Sequence, residues 1–183
     1  IRLAGVPPYE QKGVKAKYFI SYPGDMVAND SHCKDISGFS GTNALLMAGY
    51  NKGRTFVLES LVGGFSFTVD GEFDSYELKG NSDESVGYAS LTCRITGATS
   101  LYAHSRGAAM TAITGNVNAD GKSVNHVCFS GNFELADGFC MTFFNKGAPV
   151  KTFYTTETYS ISRNVFVSLG DITSQLQDYK APA

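Results

Sequence analysis

Apolar and polar positions alternate with a period of two along much of this chain. The clearest run is Phe65-Ser66-Phe67-Thr68-Val69. That pattern predicts a strand with one buried and one wet face. An apolar run from Thr55 to Val62 precedes it, and a Gly63-Gly64 break separates the two. A turn at Tyr50-Asn51-Lys52-Gly53 opens the stretch and Asp70-Gly71 closes it. Asp-Gly between β-rich runs is a hairpin signal. Gly49 to Phe73 therefore reads as the spine of an all-β domain, with function expected in the loops at its ends.

The rest of the chain extends this reading. Lys17–Tyr22 is a strand stopped by Pro23-Gly24-Asp25, and the polar stretch from Val27 to Thr42 is a long loop. Asp74–Glu84 is acidic and turn-rich and reads as a solvated loop. Val86–Thr96, Val124–Ser130, Gly138–Phe144, Val150–Ser160 and Asn164–Leu169 are strand candidates, and Ala108–Thr114 fits helix or strand. Asp120-Gly121 predicts a second hairpin turn and Asn145-Lys146-Gly147 a third. About ten short strands with frequent turns imply a β-sandwich or jelly roll. No internal repeat points to a propeller. The expected domain spans 1–172, with a polar linker at 173–183.

Composition agrees with strands and tight turns: 13 Phe, 10 Tyr, 20 Gly, no Trp and only 5 Pro in 183 residues. The net charge of −2 disfavours a nucleic-acid partner or an anionic membrane surface. No apolar stretch approaches the roughly 18 residues that cross a bilayer. Cys33, Cys93, Cys128 and Cys140 form no CxxC pair, which removes the usual metal and redox spacings. Two disulfides in an oxidising compartment fit the even count. Three connectivities are open, of which Cys128–Cys140 with Cys33–Cys93 is favoured. The start at Ile1-Arg2-Leu3-Ala4 reads as a mature secreted chain.

The catalytic patterns are weak. Gly38-Phe39-Ser40-Gly41 is not GxSxG, and a paired-carboxylate enzyme built on Glu59 and Glu134 competes with two acids on wet strand faces. A non-enzymatic protein without a cofactor is expected, with a secreted β-sandwich enzyme as an alternative. His32, His104 and His126 form no HxH or HExxH, which leaves a zinc-dependent adhesion or self-association domain as the other alternative. A sugar site needs hydrogen-bonding side chains beside an aromatic face. Asn51, Thr55, Ser105, Asn145 and Lys146, near Tyr50, Tyr102, Phe139 and Phe144, supply both.

Several short motifs, in order, resemble the lectin domain of enterobacterial fimbrial tip adhesins of the N-acetylglucosamine-binding GafD type. Tyr50-Asn51-Lys52-Gly53 resembles that family's GYNxG, and Gly63-Gly64-Phe65 with Asp70-Gly71 its GGFCVGLDG. Ser85-Val86-Gly87 resembles EEVG, Ser105-Arg106-Gly107-Ala108-Ala109-Met110 resembles SRGTAM, and Gly138-Phe139-Cys140 resembles GWC. The resemblance implies an immunoglobulin-like β-sandwich at the tip of extracellular bacterial fimbriae. Its partners would be host glycoprotein or glycolipid glycans, and pilin subunits reached through a further, pilin-like domain. Phe139 would stack on the sugar in place of the family's Trp, and Asn145, Lys146 and Gly147 would bind as its polar turn does. The chain departs from the family in three further ways. Ser66 stands where the family has the Cys that pairs with that of GWC. No Asp precedes Ser105-Arg106-Gly107. An insertion is expected near Phe133–Asp137. Specificity for N-acetylglucosamine is therefore not carried over. Some relatives use a histidine-bound zinc, which keeps His104 and His126 in view.

Overall fold

The computed structural model describes residues 4–5, 19–22, 34–37, 47–52, 55–96 and 100–181. Of 4–58 (Met47 apart) and of 89–107, only the backbone is described. In chain order the strands are β1 (Ala4–Gly5), β2 (Phe19–Tyr22), β3 (Lys34–Ser37), β4 (Met47–Lys52), β5 (Thr55–Ser60), β6 (Gly63–Thr68), β7 (Ser75–Gly80), β8 (Gly87–Thr96), β9 (Ser100–Met110) and β10 (Ile113–Asn116). Then come β11 (Asn125–Phe129), β12 (Phe133–Leu135), β13 (Phe139–Asn145), β14 (Ala148–Thr155), β15 (Tyr159–Ile161), β16 (Phe166–Asp171) and β17 (Gln177–Asp178). A 3-10 turn, Thr173–Gln175, is the one helical element among the described residues. The all-β expectation holds.

Two sheets face each other to make the core. One has the order β10-β7-β13-β14-β17 and the other β11-β6-β16. Strand β6 is the middle of the smaller sheet, antiparallel to β11 and parallel to β16. Its alternation is realised: Phe65, Phe67 and Val69 are buried, while Ser66 and Thr68 are half-buried. Phe65 stacks on Phe139 of the opposite sheet, ring centroids 4.7 Å apart, and meets Phe129 and Tyr159 edge-on at 5.4 and 5.2 Å. Phe67 meets Tyr76 and Phe143 in the same edge-on manner. Leu135 of β12 and Ile161 of β15, a two-stranded pair, complete the core. Sheets β1-β2-β4-β5 and β3-β8-β9 come from the earlier part of the chain, and the long β8–β9 hairpin runs out from Val86, whose amide donates to the carbonyl of Met110 at 2.7 Å.

Several expectations change. Asp74–Glu84 is not a solvated loop: it contains β7, a central strand that buries Tyr76 and Leu78 and turns Ser75, Glu77 and Lys79 outward. Asp70-Gly71 and Asp120-Gly121 are not hairpin turns, because β6 and β7, like β10 and β11, lie in different sheets. They are two arches crossing the sandwich side by side. The Gly71 amide donates to the Ala119 carbonyl (3.2 Å) and the Gly121 amide to the Val69 carbonyl (3.0 Å). Gly63-Gly64 is not a break but the buried start of β6. A Cβ at Gly64 would stand 1.8 Å from the Val127 carbonyl oxygen, and one at Gly63 2.0 Å from that of Ser162. Phe133–Asp137, where an insertion is expected, contains β12 and buries Leu135. Within 173–183, β17 pairs with β14, and the amide of Tyr179 donates to the Val150 carbonyl.

No disulfide joins Cys128 to Cys140, which lie on strands of different sheets. Burial pushes the Cys128 thiol up to about 12 and raises that of Cys140. Cys33 and the side chain of Cys93 lie outside the described residues.

Two outcomes are expected in denaturant unfolding. Phe65→Ala removes a ring packed by three others and should cost about 3–5 kcal/mol. Gly64→Ala should cost about 3 kcal/mol or more, because the clash is with backbone. A loss under about 1 kcal/mol in both would contradict this packing.

Candidate functional site

One end of the sandwich is built from turns that tie themselves down. Asn145 pairs with Ala148, leaving Lys146 and Gly147 as a two-residue hairpin turn with φ of 49° and 81°. Positive φ at both positions matches the right-handed twist of the strands, and Gly147 accepts it without strain. Asp74 holds this turn. Its carboxylate accepts from the Lys146 amide (2.6 Å) and the Ser75 hydroxyl (2.6 Å), and its own amide donates to the Phe144 carbonyl (2.9 Å). The Ser75 hydroxyl, followed by the Lys146 amide, holds the Asp74 carboxyl below the usual aspartate range. Lys146 and Gly147 are exposed and Asn145 is half-buried, so a rigid polar tip faces solvent.

The arches share this end. The Asp120 carboxylate accepts from the amides of Lys122 (2.9 Å) and Ser123 (2.6 Å) and from the Ser123 hydroxyl (2.7 Å), and these bonds lower it to about 2. Asp171 accepts from the amide and hydroxyl of Thr173, whose Oγ1 accepts in turn from the Asp70 amide. Buried Asn125 exchanges hydrogen bonds with the backbone of Asn118 and so fixes the arch from inside. The Asp120 and Asp171 carboxylates each serve their own turn, and Asp74 serves the Lys146 turn. Among the described residues no three His, Cys, Asp or Glu side chains gather where they could hold a metal ion.

The residues singled out in the sequence fall on three separate sheets. Asn51 and Thr55 lie where β4 ends and β5 begins, at the closed end of that antiparallel pair, and Tyr102 and Ser105 lie on β9. Their side chains lie outside the described residues. Phe139 and the Asn145-Lys146-Gly147 tip belong to β13 and its turn. No strand pairing links the three groups. Phe139 does not keep its assigned role: it is fully buried, its ring stacked on Phe65, so it has no face to offer a sugar. His126 sits on β11 with its ring edge-on to Phe166 at 5.9 Å, and burial lowers its pKa. His32 and the side chain of His104 lie outside the described residues. Glu59 is ion-paired with Arg163, and Glu134 is exposed on β12.

Sequence reasoning missed the outer face of the five-stranded sheet. Lys79, Cys140 and Tyr154 lie in one cross-strand row, and Thr114, Glu77, Thr142 and Thr152 in the next. Tyr154 is 54% exposed. Lys79 pairs with Glu77 at 2.8 Å. The available signal was the alternation in SYELKG and in FCMTFFN, read without regard to the acidic residues around the first.

The fold is similar to that of a crystal structure from Bacteroides uniformis named "putative cell adhesion protein". The TM-score is 0.54 at 12% identity, covering 87% of this chain and 69% of that one. At that identity the likeness shows a shared fold and nothing of role. No protein family pattern matches the chain, and no curated protein matches it. The GafD-type resemblance thus remains one of short motifs.

The carboxylates at this end predict an acid limit. A carboxyl held below its ordinary 3.8 stabilises the fold above that pH, and the contribution is lost as pH falls towards the folded value. Asp74, Asp120 and Asp171 are all lowered. Stability should therefore hold down to about pH 4 and decline between about pH 4 and 2. Carboxyl-detected NMR titration should place the Asp120 midpoint near 2. An unshifted midpoint would mean that these turns are not formed in solution.

Proposed function

We propose that this chain is a receptor-binding adhesion domain which attaches bacteria to host surface glycans, on glycoproteins or glycolipids, from the tip of a fimbria. The observation that carries the reading is the rigid polar tip at Asn145-Lys146-Gly147, locked by Asp74 and exposed at the end of an adhesin-like sandwich. Amide, ammonium and backbone groups in a fixed turn suit recognition of hydroxyls and ring oxygens, because little ordering is left to oppose binding. A shallow site of this kind should bind a monosaccharide at roughly millimolar to high-micromolar strength, with adhesion raised by many copies acting together. In such an adhesin a pilin-like domain joined to this one would mount it among the pilin subunits. No described helix is long and apolar enough to cross a membrane, which is compatible with display outside the cell.

A mammalian glycan array probed with the multivalent domain, with and without chelator, tests the reading. Chelator-resistant binding of a defined glycan set, weakened at least about fivefold by Asn145→Ala and by Lys146→Ala, is the expected result. Binding abolished by chelator would transfer the function to a histidine-held zinc. A blank array at high protein density would remove the lectin assignment.

A further inference from the structure

The outer face of the five-stranded sheet combines three properties that single exposed side chains do not have. First, it is ordered: Tyr154, Thr152, Thr142 and Cys140 stand on two hydrogen-bonded central strands, not on loops. Second, it is electrically balanced. Lys79 is bonded to Glu77 beside it, and the described outward residues of β13 and β14 between Cys140 and Tyr154 carry no charge. Third, it is amphiphilic in the way a sugar is. The Tyr154 ring stands at one corner, and the hydroxyls of Thr142, Thr152 and Thr114 line the next row.

The spacings fit. Rows on one face of a sheet repeat at about 7 Å, and neighbouring strands lie about 4.8 Å apart. A patch two rows deep and two strands wide is thus about the footprint of one or two sugar rings. A pyranose has a C–H face that packs on an aromatic ring and equatorial hydroxyls that need donors and acceptors at its rim. An anionic or cationic partner would find no net charge to pair with on this surface. A neutral oligosaccharide loses none of its own hydrogen bonding to unmatched charge.

We infer that the Tyr154–Thr152–Thr142 surface is a platform for a neutral oligosaccharide. One sugar ring lies on Tyr154, and the chain extends over the threonine row towards Glu77. This inference rests on the adhesion reading above and places recognition on the sheet face, beyond the turn at Lys146. Cys140 lies in the same row as Tyr154 and serves as a built-in reporter, because a sugar seated on the platform covers its thiol.

The test uses the whole chain and immobilised neutral oligosaccharides of the N-acetyllactosamine, mannotriose and chitotriose series. Tyr154→Ala should weaken binding at least about tenfold, whereas Tyr154→Phe, which keeps the stacking face, should stay within about twofold. Thr142→Val should fall between them. In the unmodified chain the bound oligosaccharide should slow alkylation of Cys140, read at peptide level by mass spectrometry, without changing that of fully buried Cys128. If oligosaccharides bind but neither Tyr154→Ala nor Cys140 protection registers, while Lys146→Ala abolishes binding, the platform is wrong and the lectin reading stands. If no neutral oligosaccharide binds the unmodified chain, the inference is overturned, and the blank array described above decides whether the lectin reading falls with it.

Discussion

Phe65 stacked on Phe139 is the contact on which the sandwich turns. It joins the middle strand of the smaller sheet to a central strand of the larger one, and the Phe129 and Tyr159 rings pack around it. Aromatic pairs of this geometry contribute about 0.5–1.5 kcal/mol beyond the area they bury. Their larger effect here is to fix parity. Once Phe139 faces inward, Met141 and Phe143 follow it, and Cys140 and Thr142 must face out. The two glycines before Phe65 let β6 approach both β11 and the Ser162–Val165 backbone closely enough for the contact to form.

Parity then decides where recognition can occur. A ring in the core cannot stack on a ligand, whereas Tyr154, on the opposite face from Phe139's partner Phe153, is exposed. The polar groups are divided in the same way. Those at the arches are spent on holding turns, as the hydrogen bonds of Asp120 and Asp171 show. The Lys146 tip and the threonine row remain directed at solvent. For the adhesion role proposed above this division is useful, because rigid turns and sheet faces bind without first having to be ordered.

Much of the architecture was legible in the chain. Alternation located β6, β11, β13 and β16 closely, and Asn145-Lys146-Gly147 proved a true hairpin turn. The errors have physical causes. The Asp-Gly pairs do mark reversals, but local chemistry does not say whether the next strand returns to the same sheet or crosses to the other. The segment holding β7 reads as polar because Tyr76 and Leu78 alternate with Ser75, Glu77 and Lys79 and are flanked by the acids Asp74, Asp83 and Glu84. The 173–178 tail is polar because an edge strand needs few apolar residues when the backbone of β14 supplies its partners. Phe139 sits in a motif that implies a sugar-facing ring, but the period-two run Phe139, Met141, Phe143 places it in the core. The β7 side of the Tyr154 face could not be assembled from sequence. It joins strands more than 60 positions apart in the chain (Lys79 with Cys140), and only the register brings them together.

The inward face of β13 and β14 is core, and their outward face is the one proposed to carry recognition. Methyl NMR separates the two faces most directly, with labelled threonine reporting the outer side and labelled methionine and valine the inner. On titration with a glycan that the domain binds, the methyls of Thr142 and Thr152 should shift in step with saturation, while those of Met141 and Val127 stay in place. Saturable binding that leaves both threonines unmoved would contradict the claim.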